Sequence, residues 1–489
     1  MNSQTLAKSG SDLRLLLILG PNRDVPPLAV APNFMGRDFK YPPLGLLHLA
    51  AFVRRHRPQW NVRVLDCHNA ANPKKALEKA LTEFAPTLAG VPFFADSLAD
   101  NLGICQRVRQ LSPSTRIVAG GPHVFHYPAQ IASLPGVDWA VRGEGEKPLV
   151  ALLDFIAQGG AGNPDEPGVY CRQGESVAGQ GCGAQEEDLD NLPHPDRSML
   201  PFRSYFIMTG RRSFCTTAVT SRGCCFACAF CDVPYKSIRF HSPEWVLQDV
   251  KNCMDLGIRE IHFYDDNFNL NPERVATIAS MMSRQMLTPD WTFRGRVDCL
   301  EPAMLKAARK AGCYRVYLGL ESGTDRILTA MNKQITVNDI RKGVAAAKNA
   351  GLEVHGYFMI GFGDETREEI LQTIDFACSL GIDLASFMVT AFYPGSPIYK
   401  QALQSGLLKQ DLWLGQAQNP RPDFAPPIPA WFTLGQKEIW RLNALAYRRF
   451  YLRPSAVWRT GKSIRSPRAL ARRARGLWRT LQMTVKSIG

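Results

Sequence analysis

Short apolar runs alternate with amphipathic stretches over the first 400 residues of the chain. Leu13–Gly20 is an apolar run ending in Gly-Pro-Asn and reads as a buried strand followed by a loop. A Pro- and Gly-rich loop leads to Tyr41-Pro-Pro-Leu-Gly45. Leu44–Arg55 then places Leu46, Leu47, Leu49, Ala50 and Val53 on one side of a helix. Further strands are predicted at Asn61–Asp66, Leu88–Phe93, Arg116–Ala119 and Trp139–Val141, with a helix at Ala76–Phe84. Strands alternating with helices predict a doubly wound parallel sheet over residues 11–157, whose ligands bind beyond the carboxyl ends of its strands. Residues 158–214 break the pattern. Gly159-Gly-Ala-Gly162, the polar run Gln173–Asp190 and the proline-punctuated Leu189–Arg197 read as a linker.

Alternation resumes over residues 215–400, with strands at Thr216–Thr220, Glu260–Tyr264, Thr292–Arg296, Arg315–Leu320, Glu353–Ile360 and Leu384–Thr390. Helices such as Glu244–Leu256, Pro302–Ala311 and Asn338–Ala350 lie between them. Six such units predict a partial (β/α)6 barrel, with active groups at the carboxyl ends of the strands. Residues 401–489 form an α-helical C-terminal region, with a proline-rich loop at Pro420–Pro429 and a helix at Leu434–Tyr451. In the last segment Leu470, Ala474, Leu477, Trp478, Leu481 and Val485 recur at helical spacing, surrounded by Arg472, Arg473, Arg475 and Arg479.

Composition changes this picture at one end only. The net charge of +14 looks like a property of the whole chain, but Arg441–Gly489 holds 13 Lys and Arg and no acid, so the first 440 residues carry +1. The basic amphipathic segment fits an anionic membrane surface, with Trp478 at the boundary and the arginines at head groups. Docking on the protein's own body is the competing reading. A nucleic-acid partner is not expected, because aromatic residues are not interleaved with the basic ones. No apolar run reaches the roughly 18–20 residues of a membrane span. Leu15–Leu19 is too short for a signal-peptide core. The expected location is the cytoplasm, peripheral to the inner membrane face where the tail engages lipid.

The chemistry is concentrated in Ser221-Arg-Gly-Cys-Cys-Phe-Ala-Cys-Ala-Phe-Cys-Asp-Val-Pro-Tyr235. Cys224, Cys228 and Cys231, spaced C-x3-C-x2-C, can hold three irons of a [4Fe–4S] cluster and leave the fourth open to a substrate or cofactor. Gly223 permits a sharp turn, and Phe230 can cover one side of a bound cofactor. Zinc would require a second cysteine pair, which the chain lacks. A disulfide framework does not suit a chain of 489 residues. Cys225 is out of register and reads as a bystander.

This loop resembles the C-x3-C-x-aromatic-C signature of the radical S-adenosylmethionine (SAM) superfamily. Tyr-Pro-Pro-Leu-Gly45, Val118-Ala-Gly-Gly-Pro-His123, Arg142-Gly-Glu-Gly-Glu146 and Tyr393-Pro-Gly-Ser-Pro-Ile-Tyr399 add a likeness to its cobalamin-binding branch (class B type). That branch includes anaerobic Mg-protoporphyrin monomethyl ester cyclases and B12-dependent radical SAM methyltransferases. The resemblance implies a flavodoxin-like cobalamin domain, a radical SAM barrel, and three cofactors: a [4Fe–4S] cluster, SAM and cobalamin. It also implies an electron donor such as flavodoxin or ferredoxin. The implied reaction is methyl transfer from SAM, via methylcobalamin, to an unactivated carbon. A hydrophobic substrate, isoprenoid lipid or tetrapyrrole, follows if the tail reaches a membrane. Oxidative ring closure is the alternative, and a cluster-based redox or cobalamin sensor the competing non-enzymatic class.

The chemistry of the strand ends assigns contacts within that expectation. Asp265-Asp-Asn267 offers acceptors for the SAM ammonium. Phe230 in the cysteine loop and Asp266, Arg296, Glu321, Ser322 and Gly361 at strand ends of the barrel are expected to contact SAM. Ser97, Gly120, Gly121, Gly143 and Glu144 are expected to contact cobalamin. The first loop lacks the Asp-x-His-x-x-Gly motif of methionine synthase-type domains, and Asp66-Cys-His68 is not that motif displaced. No histidine is therefore expected on cobalt.

Overall fold

The computed structural model describes residues 13–21, 39–160, 162 and 164–454. The basic stretch from Leu470 to Val485 lies outside the described residues. The chain divides into two compact units. One is built on Lys40–Tyr205 with Leu403–Phe424, and the other on Phe206–Ala402 with the chain from Ala425.

The first unit is a sheet whose parallel strands are β1 (Arg14–Leu19), β2 (Asn61–Asp66), β3 (Leu88–Pro92), β4 (Arg116–Gly120) and β5 (Trp139–Val141). They lie in the order 2-1-3-4-5, the flavodoxin-like arrangement. An antiparallel pair, β6 (Val169–Gln173) and β7 (Ser176–Ala178), extends the edge beyond β5. All five residues of β3 are buried, as a central strand covered on both faces must be. On one face α1 (Leu44–His56) and α6 (Glu146–Ala157) pack Leu46, Val53, Leu149 and Leu152 on Leu15 and Leu17. On the other, α2 (Pro73–Phe84) and α3 (Leu98–Leu111) bring Leu77, Leu81, Leu102 and Val108 against Leu16 and Ile18, joined by α4 (Pro122–His126) and α5 (Pro128–Ala132). The helix Leu412–Gln418 belongs to this unit. Asp411 caps it by accepting from Leu414 N at 2.9 Å, and Tyr127 donates its hydroxyl to the same carboxylate. Trp413 is buried near His123, and Ala417 joins the second core.

The second unit is a six-stranded parallel sheet, β8 (Thr216–Ala218), β9 (Glu260–Phe263), β10 (Asp290–Gly295), β11 (Cys313–Glu321), β12 (Glu353–Ile360) and β13 (Leu384–Val389), paired in chain order. β8 and β13 do not pair, so the barrel is partial. Helices α7 (Pro243–Asp255), α8 (Pro272–Arg284), α9 (Pro302–Lys310), α10 (Asp325–Ala330), α11 (Val337–Asn349) and α12 (Arg367–Ser379) cover its outside. Ser242, Asn271, Thr336 and Thr366 each cap the helix that follows, the last two as capping boxes. The floor is closed by residues 209–212. Glu260, fully buried, accepts from Arg211 N, Arg212 N and Tyr314 Oη, while Arg315 donates to Thr209 O and Glu353. The open edge of β13 is covered by the helix Gln436–Tyr451. Asn443 Nδ2 donates to Phe387 O at 2.9 Å, Phe387 N donates to Tyr447 Oη, and Tyr451 Oη bonds Ala385.

Candidate active site

Each feature of the cysteine loop has a local cause. Asp265, at the end of β9, accepts from Thr220 N and Oγ1 at 2.9 Å and from Ser221 Oγ, fixing the entry to the loop. Ser221–Arg222 pairs with Arg239–Phe240, which closes the loop's base. Gly223 has φ of +91°, and a Cβ there would stand 2.2 Å from Ser237 O, so only glycine fits. Asp266 accepts from Gly223 N. Cys231 N bonds Cys228 O at 3.1 Å, tightening the last turn. From the far side, Met331 O accepts from Ala229 N at 2.8 Å, and Asn332 Nδ2 donates to Ala227 O at 2.9 Å.

Cys228 is buried, Cys224 and Cys231 are half-buried, and Cys225 is exposed. Burial and the neighbouring thiols push Cys224 up and Cys231 up to about 11. Such thiols become thiolates when a metal compensates their charge, and the site meets that chemistry with three sulfurs on one pinned loop. Among the described residues no group of three ligands closes on a single metal ion. Cluster cysteines each take a different corner of the cube, so a cluster does not require that closeness.

Around the loop the expected SAM contacts divide. Phe230 lies against Lys333, whose Nζ is 5.7 Å from the ring centroid. Arg296 is buried over Phe226 at 3.7 Å, paired with Asp298, and its Nη1 has no partner. It lies just beyond β10 rather than on it. Asn269 holds Arg296 N and O and fills the space beside Gly295, so the strand stops there. Glu321 ends β11 and pairs with Lys333 at 2.8 Å. Ser322 is buried with its hydroxyl near those of Thr373 and Thr324. Gly361 (φ +77°) makes room for Ala430, which a Cβ would approach to 2.7 Å. Both aspartates of the Asp265-Asp-Asn267 triplet are engaged with the loop backbone. Asn267 is 3% exposed, and both its amide atoms are without a partner. Asn267 was visible in the triplet as an acceptor, but its availability was not. Lys333 gave no signal at all, since nothing in Met331-Asn-Lys-Gln marks a site.

In the first unit, Ser97 lies in the loop after β3 and Gly120 is the last residue of β4. Ser97 accepts from Asn101 Nδ2 at 3.0 Å, and a Cβ on Gly120 would meet nothing within 4 Å. Gly121 (φ +93°) lets the chain turn onto Phe93. Phe94 is 37% exposed beside them. This open, partly apolar cradle fits a large planar ligand. Gly143 and Glu144 lie further along, where Gly143 bridges Gly183 and Glu144 accepts from Glu186 N. Asp66 is held by Tyr205 Oη at 2.8 Å.

A doubly wound ligand-binding sheet and a parallel barrel with three cluster-type cysteines define a class of cofactor-dependent enzyme. The comparisons specify it. The Radical SAM superfamily model matches residues 218–377, and the B12 binding domain model matches residues 36–153. An uncharacterised methyltransferase of Pyrococcus horikoshii is 30% identical over 453 residues, 91% of this chain and 94% of that protein. The anaerobic magnesium-protoporphyrin IX monomethyl ester cyclase of Rubrivivax gelatinosus is 23% identical over 372 residues, 74% of this chain and 66% of the cyclase. The cobalamin-dependent S-adenosylmethionine radical enzyme OxsB superposes with a TM-score of 0.72 at 16% identity, over 97% of this chain and 72% of that one. The chain belongs to the cobalamin-binding branch of the radical SAM superfamily. It is a radical SAM enzyme whose cofactors are a [4Fe–4S] cluster, SAM and cobalamin. It works with a reductant on a small-molecule substrate.

Proposed function

We propose that this enzyme transfers a methyl group from SAM, by way of cobalamin, to an unactivated carbon. The observation that carries the reading is the pinned loop of Cys224, Cys228 and Cys231, with buried, partnerless polar atoms on Arg296 and Asn267 of the same unit. When bound, the cluster and SAM supply a 5′-deoxyadenosyl radical, and cobalamin carries the methyl group. The chain's part is to hold and orient these groups. Cys224, Cys228 and Cys231 take three irons. Arg296 Nη1 is a donor for the SAM carboxylate, and the Asn267 amide oxygen an acceptor for its ammonium. Phe230 covers one side of the cofactor. Glu321 and Gly361 stand at neighbouring strand ends. Ser97, Gly120 and Gly121 form the cobalamin cradle, with Gly143 and Glu144 further along its rim. The methyltransferase relative supports methyl transfer, and the cyclase relative keeps oxidative ring closure as the second reading.

For the substrate we favour a tetrapyrrole-like molecule over a saturated isoprenoid lipid. The inward side chains of the barrel are polar and aromatic. Tyr317, His355 and Tyr357 form a series of rings 4.9 and 5.0 Å apart, His355 Nε2 is 2.9 Å from Ser386 Oγ, and its buried Nδ1 has no partner. Arg294 lies 3.4 Å over Tyr264. A wall of this kind suits a planar ring system carrying hydrogen-bonding groups.

We keep the reducing interior of the cytoplasm as the location, with flavodoxin or ferredoxin as donor, because the cluster that Cys224, Cys228 and Cys231 would hold needs reduced thiols. For the basic segment Leu470–Val485 we keep the anionic membrane surface as the partner. The full chain is expected to float with phosphatidylglycerol vesicles at low salt and to lose that binding when truncated after Pro454. Equal flotation of both forms would dismiss it. The reaction itself is tested on anaerobically reconstituted protein supplied with SAM, cobalamin, reductant and tetrapyrrole or lipid extracts. Formation of 5′-deoxyadenosine and S-adenosylhomocysteine, with a substrate gaining one methylene, supports methyl transfer. 5′-Deoxyadenosine alone favours ring closure.

A further inference from the structure

Five non-glycine residues among those described have positive φ, and three of them gather at one place. Glu321 (φ +61°) ends β11, and Asn332 (φ +50°) and Gln334 (φ +58°) flank Lys333 in the turn between α10 and α11. Side chains with a Cβ resist this conformation, and it persists where surrounding contacts over-determine it. Those contacts are visible. Lys333 and Glu321 are 6% and 5% exposed, and Nζ bonds Oε1 at 2.8 Å. A Cβ on Gly319 would stand 2.4 Å from Glu321 Oε1 and 2.8 Å from Lys333 Nζ, so the ion pair lies directly over this glycine and a side chain there would push it aside. Ladder pairing with β12 slips between Gly319 and Glu321, which turns the carboxylate out of register.

The same turn braces the cluster loop. Met331 O accepts from Ala229 N, Asn332 Nδ2 donates to Ala227 O, and Lys333 O accepts from Arg296 Nη2 at 2.7 Å. The lysine ammonium faces the ring of Phe230, the residue before Cys231. Backbone groups and Asn332 thus hold the loop, while the Lys333 side chain holds Glu321.

From this we infer that Lys333 is a positioning residue of the SAM site. Its ammonium fixes the Glu321 carboxylate in a strained conformation ready for SAM, and its main chain supports the cluster loop independently. The inference rests on the SAM reading above and assigns a task to a residue that reading does not use. Removing one member of a buried ion pair leaves the other uncompensated, so the carboxylate should lose its set position.

The test uses anaerobically reconstituted full-length protein. Lys333→Met and Glu321→Gln are expected to keep wild-type iron and sulfide content, because the loop's backbone contacts remain. SAM binding, followed by the change SAM induces in the electron paramagnetic resonance signal of the reduced cluster, is expected to weaken at least about tenfold in both. Lys333→Arg, which keeps a cation, should recover part of it. Wild-type SAM affinity in Lys333→Met would overturn the inference. So would loss of the cluster from both variants at unchanged thermal midpoint, which would make the pair part of loop folding. If wild-type protein itself shows no SAM-induced signal, the SAM reading fails first, and the two failures remain distinguishable.

Discussion

Glu365 is fully buried at the turn after β12, where its Oε2 accepts from Gly361 N and Phe362 N and its Oε1 has no partner. Desolvation outweighs those two amides and pushes its carboxyl up from 4.5 to about 7. Between these values the native state keeps a proton that the unfolded chain has lost, so stability falls as pH rises from about 4.5 towards 7 and stays reduced above it. Glu365→Gln keeps an amide oxygen for both N–H groups and removes the charge. The variant should be more stable than wild type at pH 8, by an order of 1–3 kcal/mol, and show little gain at pH 5. Thermal midpoints at the two pH values check this, and an equal difference at both would refute it. The sequence left such detail unreadable. The cysteines declared themselves by spacing, because cluster ligation fixes spacing. Asp265 and Asp266 were read as acceptors for a cofactor, and that they hold the loop carrying the cysteines was not legible. Nothing short of the fold brings Lys333 to Glu321, twelve residues away.

At the scale of elements the apolar pattern was a good guide to the parallel strands. Glu353–Ile360 and Trp139–Val141 match their expected bounds. Thr292–Arg296 was placed too late, because the sequence could not show that Asn269 ends the strand at Gly295. The hairpin β6–β7 lay inside a stretch read mainly as linker, since its outer residues are exposed and leave only a weak alternation. The helix Gln436–Tyr451 was expected two residues earlier, and its task was hidden. Its Asn443, Tyr447 and Tyr451 satisfy the open edge of β13. Asn443→Ala would leave the buried Phe387 carbonyl without its donor and cost about 1–3 kcal/mol. The urea midpoint should fall, and amide exchange in β13 should quicken. An unchanged midpoint would mean that the edge is satisfied another way.

At the scale of the molecule, the family and its two folds were legible because their motifs are local in the chain. Membership of the first unit was less so. Leu403–Phe424 joins that unit from far along the sequence, carrying Trp413 into its core, and no periodicity announces such a return. The substrate was not legible, for it depends on side chains that meet only when five or six strands close. The central claim, radical SAM chemistry with methyl transfer through cobalamin, is tested most directly by product stoichiometry in reduced, reconstituted protein. The account predicts one 5′-deoxyadenosine and one S-adenosylhomocysteine for each methylated product. 5′-Deoxyadenosine and methylated product should be abolished by Cys228→Ala and retained in Cys225→Ala. Substrate modified without S-adenosylhomocysteine, or 5′-deoxyadenosine still formed by Cys228→Ala, would contradict it.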